Sequence, residues 1–190
     1  MTRDFVIWSF YGYFTLFLLV EFVFTKYSPG EKAKGNRDPL SFLFFGFVPF
    51  AGMFLWMRAL NQGWIAAHPS WGLWALGWAI GLCGFAIRIA AKRALGRFFT
   101  VRVQLQEGHK LIDTGLYRLV RHPLYLGFIL EWVAPPLIVG CWPGFLFSTL
   151  WIVIGVLHRI PHEEALLVEG LGEEYRAYMA RTKRLVPGVW

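Results

Sequence analysis

Residues 124–139 read LYLGFILEWVAPPLIV, and beyond Gly140-Cys141-Trp142-Pro143-Gly144, residues 145–157 read FLFSTLWIVIGVL. Two apolar runs of this length, parted by Trp-Pro-Gly turn chemistry, predict a tight helical hairpin. Such a hairpin has almost no polar face to offer water. Composition extends the point to the whole chain. Hydrophobic residues make up 56% and charged residues 16% of 190, against roughly 45–50% and about 25% in soluble domains. Lipid must cover part of that apolar surface. The fold class expected is an all-α integral membrane protein, in a single domain.

Working outward, three more apolar runs precede the hairpin, at residues 5–24, 40–57 and 71–87. As a helix the first spans about 30 Å, the thickness of a bilayer core. It is too long for a signal-peptide core and lacks a small-residue cleavage site, so it reads as a retained helix. Gly77 and Gly81, four apart in the third run, suit close helix packing. Pro135-Pro136 should kink the fourth, which a membrane bundle tolerates. Residues 161–181 predict a C-terminal amphipathic helix with Leu167, Leu171, Tyr175 and Tyr178 on one face. It would lie on the membrane surface or on the polar segment 88–121. The sum is five transmembrane helices.

A formal charge of +7 raises nucleic acid as a partner. The basic residues instead gather between the apolar runs, as the positive-inside rule describes for loops facing anionic lipid. Segments 26–38, 88–121 and the tail would then lie inside, with the charge-poor turns at 61–70 and 141–144 outside. That puts the N-terminus outside and the C-terminus in the cytoplasm. Cys83 and Cys141 have no CxxC spacing and no companion ligands, so neither a disulfide nor a metal site is expected. Nor is there the glycine-rich strand-to-helix turn of a soluble dinucleotide-binding domain.

The polar residues His109, Tyr117, Arg121, His122, Tyr125, His158, Arg159, Glu163 and Glu164 gather at, or lead to, the cytoplasmic ends of the hairpin. Pro123 marks a helix start, since its missing N–H costs nothing in a first turn. The helix end offers free N–H groups and partial positive charge to a polar or anionic ligand. A snorkelling interfacial cluster would explain Arg121, His122 and Tyr125 equally well. Arg159 and Glu163 share a face at i,i+4 spacing, as an intrahelical pair or as part of a site for a zwitterion. Glu131 lies about two turns past Pro123. A carboxylate at that depth is costly unless paired. It either pairs with a polar group on a neighbouring span, binds a cationic acceptor, or serves as base for a thiol or amine.

Taken together, Gly108-His109-Lys110-Leu111-Ile112, Gly115-Leu116-Tyr117, Arg121-His122-Pro123-Leu124-Tyr125-Leu126-Gly127, Arg159, Glu163-Glu164 and Gly172-Glu173-Glu174-Tyr175-Arg176-Ala177-Tyr178 resemble the isoprenylcysteine carboxyl methyltransferase family. The resemblance covers about the last 80 residues, and the first 100 match only in hydropathy. It implies a membrane enzyme in which residues 1–92 are a three-helix scaffold and 93–190 carry the cofactor-binding segment, hairpin and last helix. S-adenosylmethionine would be the cofactor, enclosed from the cytosol, and a prenylcysteine-like substrate would enter from the bilayer. His109, Lys110, Leu111, Ile112 and Tyr117 would line the cofactor pocket, with His122, Pro123, Leu124 and Tyr125 at the helix start. Glu163 would meet a cationic or polar part of the cofactor. Arg159 would engage the substrate carboxylate, with Arg121 as a further catalytic candidate. Glu131 stands where the resemblance leads one to expect an apolar or aromatic residue, and as a catalytic candidate it would speak against a prenylcysteine acceptor. Two other readings remain: an NADPH-dependent membrane reductase, since sterol reductases carry a similar His-Pro-x-Tyr pattern, and a non-catalytic membrane scaffold.

Overall fold

The computed structural model describes residues 1–26, 48–100, 108–188 and 190. Among these the regular structure is helical: α1 (Arg3–Lys26), α2 (Val48–Asn61), α3 (Trp71–Leu95), α4 (Pro123–Val139), α5 (Trp142–Leu171) and α6 (Glu173–Arg181). Short 3-10 turns occupy Gly96–Phe98 and Gly115–Arg118. The stretches Arg3–Phe24, Trp71–Phe98 and Trp142–Leu171 are long and apolar enough to cross a membrane, while α4 is apolar but shorter. Residues 27–38 of the first basic loop, 40–47 of the second apolar run, and Arg102 lie outside the described residues.

The hairpin expected from the sequence is present. Gly140 ends α4 in a left-handed conformation, φ 73°, and α5 begins at Trp142 with Pro143 in its first turn. α4 packs chiefly on α3, and glycines set how closely. A Cβ at Gly84 would lie 2.7 Å from the Gly127 carbonyl oxygen, and one at Gly127 would lie 2.6 Å from Arg88 Cγ. The Gly77 and Gly81 surface is likewise used within the chain, against Ile138 of α4 and Tyr13 of α1.

α4 continues through Pro135 and Pro136 without a break. A proline at 135 cannot donate to the carbonyl of residue 131, four positions back. The Tyr13 hydroxyl of α1 donates to that carbonyl instead, at 2.9 Å, in the buried core. An unmet carbonyl inside a bilayer costs several kcal/mol, about what would otherwise break the helix. Tyr13 shares one buried core cluster with Phe17, Phe85, Trp132, Ile138 and Ile152.

Two boundaries differ from those expected. α3 does not stop at residue 87 but runs to Leu95, because Arg88 turns inward, where its guanidinium bonds both Glu21 of α1 and Glu131 of α4 and lies over the Phe24 and Phe128 rings. Residues 161–181 are not one helix. α5 passes through Pro161 to Leu171, and the chain breaks at Gly172, whose φ of 59° and ψ of −130° favour glycine. α6 then begins at Glu173, with Tyr175 and Tyr178 buried.

Candidate functional site

The site forms where the start of α4, the second half of α5 and the segment 108–122 meet. Pro123 opens α4, and the residues before it are held from behind by the tail. Val120 and Lys183 form a parallel bridge. The Arg121 N–H donates to the Lys183 carbonyl at 2.8 Å, and the His122 N–H to the Arg184 carbonyl at 2.9 Å. α6 holds the same segment, since the Tyr178 hydroxyl donates to the Tyr117 carbonyl at 2.6 Å and Arg181 pairs with Asp113.

One cluster centres on Glu163. The Tyr125 hydroxyl donates to its carboxylate, the His122 ring stacks on Tyr125 with centroids 5.6 Å apart, and the Arg159 guanidinium lies 5.7 Å over the Tyr125 ring. The negative charge of Glu163 also reaches His109 and Tyr117. Burial pushes the His109 imidazole below its ordinary value, with Glu163 opposing. Burial also pushes the Tyr117 phenol well up, and Glu163 adds to it. The Tyr117 hydroxyl and His109 Nδ1 are buried without a hydrogen-bond partner among the described residues. Buried polar atoms are nearly always satisfied, so these two atoms are candidates to meet a polar ligand.

A second cluster centres on Glu164, which is buried. Arg121 Nε donates to Oε1 at 2.8 Å and His122 Nε2 lies 3.3 Å from the same oxygen. Arg184 grips Oε2 with Nε at 3.0 Å and Nη2 at 2.8 Å. Arg121 further donates to the carbonyls of Met179, at 3.0 Å, and Thr182.

The sequence-expected residues therefore divide. His109, Tyr117, His122, Tyr125, Arg159 and Glu163 come together. Pro123 is buried and Leu124 half-buried at the helix start, while Leu111 and Ile112 are half-buried and Lys110 exposed in the segment leading there. Arg121 is beside the cluster but directs its guanidinium to Glu164 and the tail. Glu131 is not drawn in. Six residues after Tyr125, it is turned about 120° around the helix axis and bonds Arg88. Glu164 is among the polar residues expected at the hairpin end, but its role as a hub is new, as is Arg184. Glu163-Glu164 was a signal, since neighbouring helical residues point about 100° apart. Arg184, in a tail without periodicity, gave none.

The model of the isoprenylcysteine carboxyl methyltransferase family matches residues 75–169, half of the chain. The chain belongs to this family. Among similar proteins, a probable protein-S-isoprenylcysteine O-methyltransferase of Oryza sativa subsp. indica is 34% identical over 120 residues, 62% of this chain and 62% of that protein. A methanethiol S-methyltransferase from a Pseudomonas species is 35% identical over 146 residues, 70% of this chain and 53% of that protein. The chain thus spans between half and two thirds of the length of these relatives. The eukaryotic intramembrane Ras methyltransferase of the isoprenylcysteine carboxyl methyltransferase family shares the fold, with a TM-score of 0.61 at 21% identity, over 82% of this chain and 55% of that one.

Proposed function

We propose that this chain transfers a methyl group from S-adenosylmethionine to a lipophilic acceptor at the cytoplasmic mouth of α4 and α5. In this reading it crosses the membrane five times with its N-terminus outside. The observation that carries it is the Glu163 cluster. A carboxylate whose charge reaches two buried polar atoms without partners among the described residues suits a ligand that is both cationic and rich in polar groups. S-adenosylmethionine fits that description, and when bound it supplies an activated methyl group on a sulfonium sulfur.

Each residue then has a task. Tyr117 and His109, with Lys110, Leu111 and Ile112 alongside, line the cofactor side, while His122, Pro123, Leu124 and Tyr125 close it at the helix start. Glu163 meets the cofactor's cationic or polar part. Arg159, held against the Tyr125 ring, is the group that can orient an acceptor carboxylate by two parallel hydrogen bonds. A carboxylate is already ionised at neutral pH and needs no general base. What the protein supplies is alignment and exclusion of water. Arg121 belongs with Glu164, where it positions the start of α4. Glu131 belongs with Arg88 as a structural pair.

The acceptor we favour is the carboxylate of a prenylcysteine-like molecule, in line with the rice relative's name. The Pseudomonas relative's name supports a second reading, a thiol acceptor, which would need a base. Calorimetric titration of the detergent-solubilised protein with S-adenosylmethionine, S-adenosylhomocysteine and NADPH tests the proposal. Tight binding of S-adenosylhomocysteine is expected. Binding of NADPH alone would turn the assignment to a membrane reductase, and binding of none of the three would leave a scaffold.

A further inference from the structure

Arg184 lies beyond the stretch 75–169 matched by the family, yet it holds His122 twice. Its carbonyl accepts the His122 N–H at 2.9 Å. Its guanidinium grips Oε2 of Glu164, whose Oε1 lies 3.3 Å from His122 Nε2. His122 stacks on Tyr125, and Tyr125 donates to Glu163. The chain of contacts therefore runs from the tail through Glu164 and His122 to the carboxylate at the centre of the site. The tail is itself folded back: Leu185 and Val186 donate N–H groups to the Trp190 carbonyl, each at 2.8 Å, and the Arg184 guanidinium lies 5.3 Å over the Trp190 ring.

We infer that Arg184 is a positioning residue for the cofactor side of the site, setting His122 and Tyr125 against Glu163 through the Glu164 carboxylate. The inference rests on the methyl-transfer reading above. With Arg184 in place, both Glu164 oxygens are spoken for and the carboxylate has one orientation. Without it, Oε2 is left buried with neither of its donors, and the carboxylate is free to turn away from His122. Such loosening of a supporting contact weakens a site without touching the ligand.

The test uses the full chain in detergent and S-adenosylhomocysteine as the probe. Arg184→Met should weaken binding about tenfold, or about 1.4 kcal/mol, and Arg184→Lys should restore part of the loss. Combining Arg184→Met with Glu164→Gln should give no further loss beyond Glu164→Gln alone, because both changes cut one chain of contacts. The core variant Ile152→Val, lowering thermal stability without touching the site, should keep wild-type affinity. So should Arg176→Ala, which removes only an exposed pair with Glu173. Should Arg184→Met fail to fold, Arg184→Gln takes its place with the same expectation. Wild-type affinity in the Arg184 variants, or additive losses in the double variant, would overturn the inference while leaving the methyl-transfer reading standing. A wild-type protein that does not bind the probe would sink that reading and this inference with it.

Discussion

Glu163 and Glu164 are consecutive on α5, yet their carboxylates answer to different partners. Glu163 accepts from Tyr125 and its charge acts on His109 and Tyr117, whereas Glu164 accepts from Arg121, His122 and Arg184. In the proposed reading the first is left to a ligand, while its neighbour is saturated by the protein.

That division predicts unlike outcomes for neighbouring substitutions. Glu163→Ala should abolish binding of S-adenosylhomocysteine, a loss of about 2–3 kcal/mol or more given the worth of a hydrogen bond to a charged group. Arg159→Ala should spare binding and lower turnover by about a hundredfold or more. Arg159→Lys should recover little, because an ammonium cannot replace the planar fork. Calorimetry paired with a methyl-transfer assay distinguishes them, and the reverse pattern would show that the two roles are exchanged.

The Arg88–Glu131 pair makes a prediction about stability. Removing one partner of a buried ion pair costs about 3–5 kcal/mol, whereas replacing both by apolar residues is often neutral or better. Arg88→Met should therefore sharply lower the thermal midpoint in detergent, and Arg88→Met with Glu131→Leu should recover part of the loss, the part-exposed Glu21 still lacking Arg88. Glu131→Gln should leave the affinity for S-adenosylhomocysteine at the wild-type level. A variant that folds well but loses turnover would return Glu131 to the chemistry.

Packing at Gly127 makes a third. Its Cβ would meet both Arg88 and the Gly84 carbonyl, so Gly127→Ala must push α3 and α4 apart. A cost of about 1–3 kcal/mol is expected, read as a fall in the melting temperature, with Gly12→Ala, where nothing lies near, as the neutral control.

Acid should loosen the segment around His109. Burial holds this imidazole below its ordinary value of 6.5, so the unfolded chain binds the proton more tightly than the folded one. The stability His109 contributes is complete above pH 6.5 and falls as the pH drops below it towards the lower folded value. Thermal unfolding followed from pH 8 to pH 5 should show this loss, and His109→Gln should flatten it. Identical acid limbs in the two proteins would count against the buried, neutral imidazole.

Long apolar runs made the helices and the hairpin legible, because bilayer thickness and turn chemistry act locally. The residues meeting at the mouth of α4 and α5 were legible for a related reason, since charges there have few other places to go. The errors at the helix ends came from tertiary contacts. Arg88 read as a loop residue because its partners, Glu21 and Glu131, are remote in sequence. The 161–181 helix was cut not at Pro161, the residue that looks like a breaker, but at Gly172, where the chain turns. Glu131 was recognised as needing a partner, but which one depends on how α3 crosses α4. The tail's part in the site was hidden altogether, since backbone pairing between Val120 and Lys183 leaves no mark on side-chain pattern.

The bond from Tyr13 to the Glu131 carbonyl exists because Pro135 leaves that carbonyl without its helical donor. The two positions are therefore conditional on each other during sequence drift. Phenylalanine at 13 is harmful beside proline at 135 and harmless once 135 regains an N–H, so Tyr13→Phe should be rescued by Pro135→Ala. A lineage that exchanges the proline is released from the tyrosine, and the order of those two changes is not free: the proline has to leave first.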